Sequence, residues 1–175
     1  MHNLVKLVQA NGKALLVPAA AITGGILRTL ESHEQALHDK GATHIWLILD
    51  GVAQSAIVRE RLGFILNKSG GASGDRVTLS GLGETRISLP KAIFAHAIEG
   101  ERIRREGDNP DGQIISQEDA TIVHTQLRSA IGAVAFYAKD SAADLFDLFN
   151  ADASDDDGDV EYDDTGKAIT TTNGE

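Results

Sequence analysis

The stretch Val5 to Pro18, VKLVQANGKALLVP, constrains the fold most, because the chain repeats its pattern without a gap at Val77 to Pro90, VTLSGLGETRISLP. In each copy apolar residues alternate on both sides of a small polar turn: Val5, Leu7, Leu15 and Val17 in the first, Val77, Leu79, Ile87 and Leu89 in the second. Alternation of period two around a turn predicts a β-hairpin, here written twice. Asn11-Gly12 strengthens the first copy, since both residues tolerate the positive φ of a tight hairpin turn. Each copy ends in a proline, which cannot donate to a strand ladder but fits the first turn of a helix. The chain is therefore read as two hairpin-led halves.

On their outward faces the copies differ. Val8 and Leu16 stand where the second copy has Ser80 and Ser88. A sheet face is left polar where it meets water, and an apolar one calls for cover. Val8 and Leu16 are thus the candidate interface residues, to be covered either by the helix that follows or by another subunit or partner.

After the first hairpin, Ile26, Leu30, His33 and Leu37 recur at helical spacing with Gly41 as a stop, predicting a helix from Ile22. The apolar run Ile45 to Leu49, closed by Asp50-Gly51, predicts a central strand turning back into VAQSAIV, with RERLGFILNK as a short helix. Trp46 lies inside that run and is expected in the core. The Gly/Ser-rich residues 68–75 read as a linker. Beyond Pro90 the expectation is mostly helical. PKAIFAHAIEGERIRRE carries one apolar stripe with Phe94 and Ile98, and Val123, Leu127, Ala130, Ile131 and Val134 suggest a 3.6-residue period. Ser141 and Asp144 have the spacing of a capping pair for a last helix through Phe149. Between these helices, Gly107 to Glu118 resembles a calcium loop but has glycine where the first carboxylate belongs. The competing reading is an Asn-Pro-Asp-Gly turn with Ser116 capping the next helix.

Composition enters at the C-terminus. Of the net charge of −10, −8 falls in residues 151–175 and only −2 in residues 1–150. The tail holds Asp155, Asp156, Asp157, Asp159, Glu161, Asp163 and Asp164 and too little apolar surface to fold alone, so it is expected to be disordered. The fold class expected is α+β: residues 1–67 as the first half, 68–75 as linker, 76–150 as the second half, 151–175 as the acidic tail. Absence of cysteine excludes disulfides and thiolate metal sites. No segment reaches ~18 unbroken apolar residues and no signal peptide is evident, so a cytoplasmic protein without membrane contact is expected.

The order of hairpin with NGK turn, LVP-AAAI, IWL-LDG and IVRERLGFI over residues 3–67, and more weakly 76–94, resembles the flagellar FlbD family of small β-hairpin proteins. That resemblance implies a small adaptor-like module without catalytic residues. The acidic run from Asp155 to Asp164 is similar to the tails of phage and bacterial single-stranded-DNA-binding proteins. It implies an internal competitor for nucleic acid and a recruiter of partners. Arg102, Arg104 and Arg105 form the basic cluster available for such contact, flanked by Glu99, Glu101 and Glu106.

No phosphate-cradling glycine loop, GxSxG elbow, HExxH or carboxylate–histidine constellation is present, and no cofactor or metal is expected. The function expected is non-enzymatic: binding and assembly through protein–protein contacts, with self-association into a homo-oligomer. Single-stranded nucleic-acid binding regulated by the tail is the alternative, and a DNA-mimicking inhibitor a third.

Overall fold

The computed structural model describes residues 3–38, 40–49, 51–70, 75–106, 114–151, 161–166 and 168–169. Both predicted hairpins form. The first is β1 (Leu4–Val8) with β2 (Ala14–Pro18), followed by α1 (Ala19–Thr23), β3 (Ile26–Thr29), α2 (Ser32–Leu37), β4 (Thr43–Leu49), β5 (Val52–Val58) and α3 (Leu62–Lys68). The second is β6 (Arg76–Ser80) with β7 (Arg86–Pro90). After it come a 3₁₀ turn at Lys91–Ile93, β8 (Phe94–Glu106), β9 (Ile114–Ser129), β10 (Gly132–Ala138) and α4 (Ala142–Asn150). A last small hairpin joins β11 (Glu161–Tyr162) to β12 (Ala168–Ile169). Among the described residues no helix is long and apolar enough to cross a membrane.

The repeat seen in two fourteen-residue stretches extends through the whole body. Val5 opposes Val17 as Val77 opposes Leu89, and Leu7 opposes Leu15 as Leu79 opposes Ile87. Pro18 and Pro90 adopt the same extended geometry, φ −61°, ψ 137° and φ −65°, ψ 138°. Each then opens a helical turn. The next strand pairs antiparallel with the one after it, β3 with β4 and β8 with β9, and that strand turns back into β5 or β10. Each half closes with a helix, and each has its own core. Val5, Leu7, Val17, Ile45, Val58 and Ile65 are buried in one, Val77, Leu79, Leu89, Val123, Ala138 and Leu145 at the corresponding places of the other.

The halves are not separate. Strand β3 pairs on one edge with β4 and on the other with β7, so one sheet runs β10-β9-β5-β4-β3-β7-β6 and joins the two halves, with β8 pairing β9 off this path. Its strand Ile26–Thr29 feeds both cores, Leu27 into the first and Ile26 into the second.

Three expectations fail, each for a physical reason. The helix from Ile22 to Leu37 is broken into α1, β3 and α2. At Gly25 the backbone runs so close to β4 that a Cβ would lie 2.3 Å from the Trp46 carbonyl oxygen, and from there the chain is extended. Next, the helical C-terminal part is replaced after Pro90 by β8, β9 and β10, leaving α4 as the helix there. Val123 and Leu127 are four apart, an interval that suits period two as well as 3.6. In the strand, Val123, Thr125 and Leu127 turn inward while Gln126 and Arg128 are exposed. Ala130 and Ile131, read as helix core, make the turn between β9 and β10. Ser116 pairs with Arg105 in that ladder and caps no helix, and residues 107–113 of the calcium-loop stretch lie outside the described residues. Lastly, part of the acidic stretch is ordered: β11 and β12 pair, and Thr78 of the body donates its hydroxyl to the Gly166 carbonyl.

Candidate functional site

The first hairpin presents two faces of different fate. Inward, Val5, Leu7 and Val17 pack with Ile22, Leu62 and Ile65. Outward lie Leu4, Lys6 and Val8 on β1 and, opposite them, Pro18, Leu16 and Ala14 on β2. At the tip, Gly12 takes φ +84°, Gln9 N–H donates to the Lys13 carbonyl at 2.8 Å and Lys13 N–H to Asn11 Oδ1 at 2.9 Å, which fixes the register.

The tip end of β1 is tied to the rest of the half. Val8 N–H donates to the Glu60 carboxylate at 2.9 Å and 3.1 Å, Arg59 N–H donates to the Val8 carbonyl at 2.8 Å, and Arg59 Nη2 to the Ala10 carbonyl at 2.9 Å. The second half repeats the arrangement: Ser80 N–H donates to Asp140 Oδ2 at 2.7 Å, and Lys139 N–H to the Ser80 carbonyl at 2.7 Å. Thr43 and Thr121 donate their hydroxyls to the carbonyls of Glu60 and Asp140 at 2.7 Å and 2.8 Å. Bridges between Gln9 and Val58 and between Gly81 and Ala138 complete the parallel. Val8 is therefore half-buried and held from behind.

The other end of the outer face is bare in one half and covered in the other. Leu16 is 62% exposed, whereas Ser88 at its counterpart position is 1% exposed, with β3 paired beside it through Leu27 and Arg76 Nε donating to its hydroxyl at 3.1 Å. One strand over, Leu4 is 55% exposed. Its counterpart Arg76 reaches across Ser88 to the carbonyls of Thr23 and Gly25 at 2.6 Å and 3.1 Å, closing the C-terminal end of α1. Coverage of the first hairpin by its own following helix, one of the two expectations, is not what the fold does. Among the described residues β2 pairs with β1 alone.

Leu4 was missed by sequence reasoning, which began the repeat at Val5. Extending the alignment one residue back sets Leu4 against Arg76 and shows the same apolar-for-polar exchange as Leu16 against Ser88. Glu60 and Asp140 were missed too. Their signal is an apolar–basic–acidic triplet closing the fifth strand of each half, Val58-Arg59-Glu60 and Ala138-Lys139-Asp140.

The other predicted site residues fall elsewhere in the fold or outside the described residues. Arg102, Arg104 and Arg105 lie in the backbone of β8, paired with Asp119, Gln117 and Ser116, and their side chains are outside the described residues. Asp155, Asp156, Asp157 and Asp159 are outside them as well, and of Glu161 only the strand position is described. Asp164 pairs with Arg61 at the start of α3, and Asp163 accepts from Thr165 N–H at 2.9 Å. Trp46 is half-buried and meets Phe136 edge-on at 5.0 Å, a packing role. On its other side His44 stacks at 3.7 Å, and burial, then the nearby Arg28 guanidinium, press the imidazole down to about 4, with His38 acting in the same sense and Glu34 against it. Arg28 is held by Glu34 at 2.6 Å. His96 and His124 stack at 4.4 Å. Among the described residues no group of three His, Cys, Asp or Glu is placed to hold a metal ion.

What this surface can do chemically is bind. An unpaired strand edge offers a row of N–H and C=O groups, and the leucines beside it add apolar area. Comparison with family models, with curated proteins and with solved structures finds no match to this chain.

Proposed function

We propose that this chain is an assembly protein that works by protein–protein contact and self-association, without catalysis or cofactor. The observation that carries the reading is the exposure of Leu16 at a position whose counterpart, Ser88, is buried with β3 paired beside its strand. An apolar edge left unpaired among the described residues is a template for another chain. The outer face here has Lys6 at its centre and leucines on both sides, Leu4 on β1 and Leu16 on β2. The acidic residues after 151 fit a role in keeping such an assembly soluble and away from nucleic acid.

The test is mass by light scattering over a concentration series, full chain beside a Leu4→Ser, Leu16→Ser variant. The expected result is an oligomer for the native chain and the 18.6 kDa monomer for the variant. A native chain that stays monomeric, or a variant of unchanged mass, overturns the reading.

A further inference from the structure

The chain carries a template for what covers the first hairpin. In the second half the cover is β3, which lies along β7 with Leu27 opposite Ser88 and Arg28 opposite Ile87. By the internal repeat β2 is the counterpart of β7, with Leu15 and Leu16 in place of Ile87 and Ser88. The counterpart of β3 is β8. Thr43 and Thr121 fix the alignment, since each opposes the last residue of its neighbouring strand, Val58 or Ala138, and donates to the carbonyl two residues on. Stepping from them along the ladders, Leu27 opposes Ile45 and Arg28 opposes His44, as Ala97 opposes Val123 and Ile98 opposes Ile122. Ala97 and Ile98 therefore occupy the places of Leu27 and Arg28.

Both members of this second junction are present and both are bare. Among the described residues β8 pairs with β9 alone and β2 with β1 alone. Leu27 is fully buried, while Ala97 is only half-buried and Ile98 is 46% exposed. The helix that closes each half lies against the strand in question in both, α3 against β3 and α4 against β8, so the outer edge of β8 faces the same way as the edge β3 gives to β7. The exchange of residue types also fits. Where the covered junction sets Arg28 beside Ile87, the bare one would set Ile98 beside Leu15 and Ala97 beside Leu16, aliphatic pairs on both faces.

We propose that β8 of one copy adds antiparallel to β2 of a second copy, with Ala97 opposite Leu16 and Ile98 opposite Leu15, repeating between chains the junction that β3 and β7 make within one. The proposal rests on the assembly reading and specifies its partner and register. Donor and acceptor edges are different surfaces of the same chain, so copies join head to tail, closing as a reciprocal pair or ring or growing as a filament.

The chain has no cysteine, which makes directed crosslinking clean. Leu16→Cys and Ala97→Cys proteins, each checked for fold by far-ultraviolet circular dichroism, are mixed and oxidised. Leu15→Cys with Ile98→Cys serves as a second pair, because adjacent cross-strand positions alternate between disulfide-compatible and incompatible spacing. The expected result is a covalent dimer in at least one mixture and none from any single protein. Self-crosslinking of Leu16→Cys alone means that hairpin meets hairpin, which overturns this inference and leaves the assembly reading standing. The same follows if the native chain is oligomeric and neither mixture crosslinks. An internal disulfide in a monomeric Leu16→Cys, Ala97→Cys chain also overturns it. A native chain that is monomeric by mass removes both.

Discussion

Glu60 and Asp140 hold the same post in the two halves: each follows the last strand of its half and turns its carboxylate back onto a hairpin amide, that of Val8 at 2.9 Å or of Ser80 at 2.7 Å. Each ends an apolar–basic–acidic triplet, Val58-Arg59-Glu60 or Ala138-Lys139-Asp140, and beyond that triplet the flanking residues differ. The two hairpins are nonetheless locked to their bodies by one device used twice.

Removing either carboxylate leaves a part-buried amide unpaired. Glu60→Ala and Asp140→Ala are each expected to cost about 1.5–3 kcal/mol, the range for hydrogen bonds to charged groups. Because they lie in different halves with separate cores, the double variant should show nearly the sum. Urea denaturation of the two single variants and the double measures this. A double variant no worse than one single variant would mean that the halves do not use the locks independently.

Two neighbouring glycines should respond oppositely. A Cβ at Gly25 meets backbone, the Trp46 and Ala21 carbonyl oxygens at 2.3 Å and 2.9 Å, and cannot be relieved by a rotamer change. Gly25→Ala is expected to destabilise by about 2 kcal/mol or more, in the range of overpacking. At Gly24 the backbone is helical, φ −82° and ψ −8°, and the nearest atom is in ordinary contact at 3.4 Å. Gly24→Ala should be neutral, or stabilising by up to ~1 kcal/mol through the unfolded chain. Thermal melts of the two variants decide it.

His44 gives stability a pH dependence of known sign. Its folded value near 4 lies below its ordinary 6.5, so on acidification the unfolded chain takes the proton first. The contribution is full above 6.5 and is lost as pH falls towards 4. Urea midpoints should decline across this window in the native chain and decline less in His44→Gln, which keeps a polar ring-sized group but takes no proton. Parallel profiles for the two proteins would show that other groups carry the acid sensitivity.

Part of the fold was legible because its signals are local. The Asn11-Gly12 turn, the Ile45 to Leu49 run before Asp50-Gly51 and the Ser141–Asp144 capping pair each specify their conformation within a few residues, and each forms. The strands from Phe94 to Ala138 were not legible, since spacings such as Val123 to Leu127 satisfy both periods, and only the ladder partners β8, β9 and β10 find in one another select the extended form.

The sequence by itself determined that there are two hairpins of one register and that the first, unlike the second, is apolar at Leu16 on its outer face. That follows from period-two patterning and turn chemistry, which act over neighbouring residues. Only the tertiary structure decided that β3 pairs along the strand of Ser88, which is buried, while Leu16 and Ile98 stay open. Burial of a strand edge depends on which distant segment arrives beside it, and no local pattern encodes that choice.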